Sequence, residues 1–171
     1  MIIISVVGYS GSGKTHLIQK AIRKLKTELN FEVVVIKNIH QHQIDEEGKD
    51  SHKFTEAGAV YSIIKNKFEE NAIFLKKKIN IEELIRWIIK GPFKVEIIFT
   101  EGFRHLSYPT ILCVKELSEI KPQLNENVKV ISGLITTRKP NQKNEIKLPI
   151  VDLEENFERF LKIFEIKKSD N

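Results

Sequence analysis

Residues 2–15 read IIISVVGYSGSGKT. A short β-branched apolar run passes directly into a glycine-rich loop that closes on lysine and threonine. The loop, GYSGSGKT (8–15), fits the pattern G-x-x-x-x-G-K-[ST] in full. Each residue type has a physical reason to stand where it does. Gly8 lets the chain turn sharply out of a strand, and Gly11 and Gly13 let backbone N–H groups approach phosphate oxygens with no Cβ in the way. Those N–H groups and the positive end of a following helix make an anion cradle. The Lys14 ammonium is placed to reach β- and γ-phosphates, and the Thr15 hydroxyl to ligate Mg²⁺. The candidate binding element is therefore the whole loop: Gly8, Tyr9, Ser10, Gly11, Ser12, Gly13, Lys14 and Thr15.

The loop is persuasive because of its flanks. Behind it, Leu17, Ile18, Ala21, Ile22, Leu25 and Leu29 form one apolar stripe at helical spacing. Further along, apolar runs recur at 31–36 (FEVVVI), 60–64 (VYSII), 95–99 (VEIIF), 111–114 (ILCV) and 128–135 (VKVISGLI). Runs of this kind suit strands of a sheet covered on both faces. Ile81, Leu84, Ile85, Ile88 and Ile89 form a second helical stripe, stopped by Gly91-Pro92. Phe157, Phe160, Leu161 and Phe164 form a third, after an acidic start that suits a helix N-terminus. Strands alternating with helices predict an α/β fold, a P-loop NTPase-like three-layer sandwich with a mostly parallel central sheet. The expectation is one nucleotide-binding domain over 1–171, with 138–149 (RKPNQKNEIKLP) as a polar loop and 167–171 (KKSDN) as a frayed tail.

Bulk properties narrow the class. The net charge of +5 is a mild surplus, suited to a phosphate-bearing ligand. The lysine runs at 76–78 and 167–168 have no interleaved aromatic residues and no base-reading motif, so a nucleic acid is not the expected partner. The only cysteine, Cys113, stands inside an apolar run, which reads as a buried side chain in a reducing, cytoplasmic protein. The first apolar run lacks a basic leader and is too short to span a bilayer, and no membrane association is expected.

Phosphoryl chemistry on such a loop needs an acidic group at the end of another strand, close to the metal. VEIIFTEG (95–102) supplies Glu101, where open α/β sheets bind their ligands. Glu101 either binds Mg²⁺ through water or orients an attacking water; with Lys14 it forms the candidate catalytic pair. The segment after the second strand runs through IDEEGKDS (44–51). There Asp45 and Asp50 are candidate outer-sphere Mg²⁺ ligands and Lys49 a candidate phosphate contact. Ser51 reads as the N-cap of a short helix holding Phe54, Ala57 and Ala59. His40, His42 and His52 also invite a transition metal, but the spacing is loose and lacks paired histidines on a helical face. A solvated loop with no ligand is the plainest alternative.

Together these stretches resemble the molybdopterin-guanine dinucleotide biosynthesis adaptor family, MobB. GYSGSGKT is similar to that family's phosphate loop, IDEEGKDSHKFTEAGA (44–59) to its Gly-Lys-Asp-Ser and Ala-Gly-Ala signature, and IIFTEGFR (97–104) to its strand-end Glu-Gly-Phe segment. LPIVDLEENFERFLKIF (148–164) is similar to the family's terminal strand-to-helix passage. The resemblance implies a GTP-binding accessory protein with weak GTPase activity, acting late in molybdenum or tungsten cofactor synthesis. It further implies a homodimer working with a MobA-type molybdopterin nucleotidyltransferase and with molybdopterin or its derivatives. Gly13, Lys14 and Thr15 would hold phosphates and Mg²⁺, with Asp45, Asp50 and Glu101 near the metal. Two departures stand out: the stretch after the second strand is poorer in histidine, and no Asn-Lys-x-Asp guanine signature occurs. A preference for guanine over adenine thus follows from the resemblance alone. The main alternative is a P-loop small-molecule kinase, but the five arginines are scattered and no lid insertion is evident.

Overall fold

The computed structural model describes residues 1–138 and 147–167. Of the expected tail (167–171), residues 168–171 lie outside the described residues, as do residues 139–146 of the expected loop (138–149). In chain order the elements are β1 (Ile2–Val7), α1 (Lys14–Leu29), β2 (Val33–Lys37), α2 (Asp50–Glu56), β3 (Ser62–Lys65), β4 (Asn71–Phe74), α3 (Ile81–Ile89), β5 (Ile97–Glu101), β6 (Thr110–Cys113), β7 (Val128–Ser132) and α4 (Phe157–Ile163). Two compact units emerge, one made of residues 1–38 and the described part of 93–171, the other of residues 39–92.

The first unit is built on a five-stranded sheet of order β2-β5-β1-β6-β7, and every pairing is parallel. Flanking helices on a parallel sheet make the expected α/β P-loop NTPase-like fold. On one face Ile4, Val6, Ile97, Phe99 and Ile111 pack against Leu17, Ile18, Ala21 and Leu25 of α1 and Phe157, Phe160 and Leu161 of α4. The stripes read from the sequence on α1 and α4 are those buried faces, and burying them supplies most of these helices' stability, whereas of the 81–89 stripe Ile85 alone is buried and Ile89 is exposed. On the opposite face Leu112, Val114, Val128 and Ile131 pack with Ile120, which links two short 3₁₀ turns, and with Ile135, which sits in a third. Ser5 and Thr100, paired in register, are both fully buried and satisfy each other through a 2.9 Å hydroxyl–hydroxyl bond.

The second unit departs from the sequence reading. VYSII was expected to join the central sheet; its strand β3 pairs instead with β4 as an antiparallel hairpin. Asn66 explains the difference. Its side-chain oxygen accepts from the backbone N–H groups of Phe68 and Glu70, and its own N–H donates to the Glu70 carbonyl. This local turn returns the chain at once, whereas a parallel pairing needs a long crossover. The resulting strands are largely exposed. Ser51 is also not the helix cap. Lys49 holds that position with no side-chain cap, and the Ser51 hydroxyl, inside α2, donates to Asp45 Oδ1 at 2.8 Å. The helix ends at Glu56, with Ala57 as C-cap and Ala59 beyond it. α3 is capped by Asn80, whose side chain accepts from the Glu83 N–H while Glu83 reaches back to the Asn80 N–H.

Among the described residues no helix is long and apolar enough to cross a membrane. Cys113 is fully buried at the end of β6, and burial pushes its thiol up to about 12. Unfolding above pH 9 therefore releases a proton from this group, and stability declines as pH rises from 9 toward 12. The thiol should also be shielded at neutral pH. Alkylation of the native chain is expected to run at least about 100-fold slower than in denaturant, as followed by mass spectrometry.

Candidate functional site

The loop GYSGSGKT leaves β1 at the centre of the sheet and enters α1 through Gly13, which adopts a left-handed conformation as the helix cap. The first turn of α1 holds no acidic side chain, so the positive helix end stays uncompensated by the protein. Backbone N–H groups at such a terminus form a ready anion site.

Two glycines fix the loop against the neighbouring strand ends. A Cβ on Gly8 would lie 2.2 Å from the Cys113 carbonyl oxygen. A Cβ on Gly133, after β7, would lie 2.4 Å from the Ser12 carbonyl oxygen, and Gly133 has φ +91°. Sequence reasoning passed over Gly133, which stands inside an apolar run. The Leu134 N–H donates to the same Ser12 carbonyl at 3.1 Å. The cradle is thus pinned from behind by the β6 and β7 ends.

The charged groups gather on the open side. Lys14 Nζ donates to the carbonyls of Gly8 (3.1 Å) and Tyr9 (2.9 Å), folded back over its own loop. The Thr15 hydroxyl donates to Glu101, 3.2 and 3.3 Å from its two carboxylate oxygens. Glu101 is buried and also pairs with Lys37 Nζ at 3.4 Å. Parallel pairing produces this meeting, because it ends β1, β2 and β5 on one edge and sets Lys37 beside Glu101 in register. Lys37 was not anticipated as a site residue, since its partner is distant in sequence. Lys115 was also missed: a Cβ on Gly11 would meet its ammonium at 3.4 Å. The Arg104 guanidinium lies 5.3 Å from the Tyr9 ring centre, held by a 2.8 Å bond to the Gln123 side chain. Ser12 is fully buried, and its hydroxyl has no partner among the described residues.

Asp45, Lys49 and Asp50 belong to the second unit, and their contacts are local. Asp45 Oδ1 accepts from Ser51, while its Oδ2 is buried with no partner among the described residues. Lys49 pairs with Glu46 at 3.6 Å and Asp50 with Lys53 at 3.5 Å, all exposed. Among the described residues no three His, Cys, Asp or Glu side chains converge as metal ligands. The donors at the loop nevertheless fit Mg²⁺. The Thr15 hydroxyl and the Glu101 carboxylate are hard oxygens in mutual contact, and Mg²⁺ takes few protein ligands, completing its shell with water and phosphate.

Residues 3–137 match the family model MobB, described as molybdopterin guanine dinucleotide synthesis protein B. A Haemophilus influenzae protein described as a molybdopterin-guanine dinucleotide biosynthesis adapter protein is 33% identical over 134 residues, covering 76% of this chain and 73% of that protein. A protein of the same description from Escherichia coli is 24% identical over 124 residues, covering 71% of this chain and 70% of the other. The crystal structure of Bacillus subtilis MobB superposes with a TM-score of 0.73 at 19% identity, covering 98% of this chain and 100% of that one; this likeness is one of fold. The chain belongs to the MobB family.

Two substitutions test the site's construction. Gly133→Ala forces a Cβ onto the Ser12 carbonyl from a left-handed backbone, and it should cost roughly 2 kcal/mol or more in denaturant unfolding. Glu101→Gln keeps the shape and removes the charge. Lys37 is half exposed and can turn to water, so the stability loss should stay within about 1 kcal/mol. The same variant should lose much of the Mg²⁺-dependence of triphosphate binding, read by titration with and without the metal.

Proposed function

We propose that this MobB-family chain binds Mg²⁺-GTP on the loop between β1 and α1 and serves as a GTP-binding accessory protein in molybdenum cofactor biosynthesis. In this reading it assists a MobA-type nucleotidyltransferase as GMP is joined to molybdopterin. It works in the cytoplasm as a homodimer and hydrolyses GTP slowly. The observation that supports the nucleotide reading is the cluster of Lys14, Thr15, Glu101 and Lys37 at the mouth of a glycine-rich helix start.

The chain's own groups divide the work. Backbone N–H groups from Gly11 to Thr15 would cradle the β-phosphate at the helix end. Lys14 would exchange two neutral carbonyl acceptors for charged phosphate oxygens, which are the stronger partners. Thr15 would hold Mg²⁺ directly and Glu101 would hold it through water. The metal, when bound, neutralises charge on the β- and γ-phosphates. Both Glu101 oxygens already accept from Thr15, and one also meets Lys37, which holds the carboxylate in place beside the loop.

Calorimetry on nucleotide-free protein tests the first half of the proposal. Mg²⁺-GTP should bind with micromolar or tighter affinity, and Lys14→Ala should weaken it about 30- to 100-fold, the effect of losing charged hydrogen bonds. No binding of Mg²⁺-GTP by the unaltered chain would sink the reading. For the pathway, capture from native extract with GTP present should recover a molybdopterin nucleotidyltransferase or molybdopterin itself.

A further inference from the structure

A cleft in the first unit opens beside the loop, and nothing derived so far uses it. It lies between α1, the turn after β7 and the segment 152–153, lined by Gly13, Leu17, Lys20, Leu134, Asp152 and Leu153 among others. Gly13 belongs to both the cleft and the phosphate cradle, so the two are continuous. Leu17, Leu134 and Leu153 offer apolar walls of the kind that receive a flat ring. Lys20 stands one turn along α1 from His16, with its ammonium 3.7 Å from Glu154. Its stem can lie along a ring while its head stays in water.

Asp152 is the acidic side chain in this lining. Its Oδ1 accepts from the Glu154 N–H at 2.8 Å, which fixes the carboxylate through a local turn. An ionised carboxylate has about four acceptor positions, so this bond leaves others open to a ligand. The rest of its contribution is chemical. Guanine presents two adjacent donors on its pairing edge, the N1–H and the 2-amino group, which one carboxylate accepts together. Adenine presents a lone pair at N1 and no 2-amino group, and that lone pair faces a carboxylate unfavourably. The turn after β7 carries no acid of its own, and Asp152 reaches the same cleft from the segment after Ile150.

The geometry points to Asp152 as the specificity-determining residue for the nucleobase: the cleft is a purine subsite, and its carboxylate selects guanine by accepting from N1–H and the 2-amino group. This deepens the GTP reading above and rests on the loop holding the triphosphate.

The test is a binding series on the nucleotide-free full chain with Mg²⁺ present, using GTP, ITP, ATP, XTP and inorganic tripolyphosphate. On the unaltered chain GTP should bind about tenfold or more tighter than ATP. ITP, which keeps N1–H but lacks the 2-amino group, should fall between them. Asp152→Asn can still accept the Glu154 N–H through its amide oxygen, so the turn survives. Its new NH₂ faces guanine's donors and suits the 2-carbonyl of xanthine. This variant should lose about tenfold or more for GTP, gain a similar factor for XTP and leave tripolyphosphate unchanged. Equal binding of GTP, ITP and ATP by the unaltered chain would overturn the assignment without any variant. So would an Asp152→Asn protein that binds GTP as before. If tripolyphosphate and GTP both fail to bind the unaltered chain, the loop reading falls and the base subsite falls with it.

Discussion

The contact on which the loop between β1 and α1 depends is between backbones. The carbonyl of Ser12, in the middle of the loop, lies where a Cβ on Gly133 would come within 2.4 Å of it, and it accepts from the Leu134 N–H. On the other side of the turn, Gly8 lies against the carbonyl of Cys113. These approaches tolerate no side chain, and they tie the loop to the ends of β6 and β7. A loop held this way can present its N–H groups in a fixed arrangement and lose little ordering entropy on binding. The burial of Cys113 follows from the same packing.

The sheet direction supplies the second requirement. Only parallel strands bring the C-terminal ends of β1, β2 and β5 to one edge, where Lys14, Thr15, Lys37 and Glu101 meet. The charges compensate locally: Glu101 is buried, yet it has a hydroxyl donor and a lysine within reach. An unpaired carboxylate at that depth would be costly.

Much of this was legible in the sequence, for reasons that differ by residue. Local signals worked where the physics is local. The loop, the stripe on α1 and the stop at Gly91-Pro92 each depend on neighbours a few residues away, and β1 spans the predicted residues. Glu101 was found because strand ends are readable from where an apolar run stops. Lys37, Gly133 and Lys115 were not found, because their roles depend on register between strands or on packing across the sheet edge. VYSII was misplaced for the opposite reason: its apolar content resembles a core strand, but Asn66 turns the chain before any crossover can form. Ser51 was misread because it lies inside α2, where its hydroxyl donates to Asp45 instead of accepting from the N–H groups of the helix end.

The posture of Lys14 has a consequence of its own. Bound to the Gly8 and Tyr9 carbonyls, the ammonium is already satisfied without any ligand. A phosphate reaching for this ammonium would have to outcompete these two carbonyl acceptors. Affinity is then a difference between two occupied states rather than the filling of an empty one. A phosphate held this way would trade some tightness for ready reversal, because the loop's own oxygens could take its place.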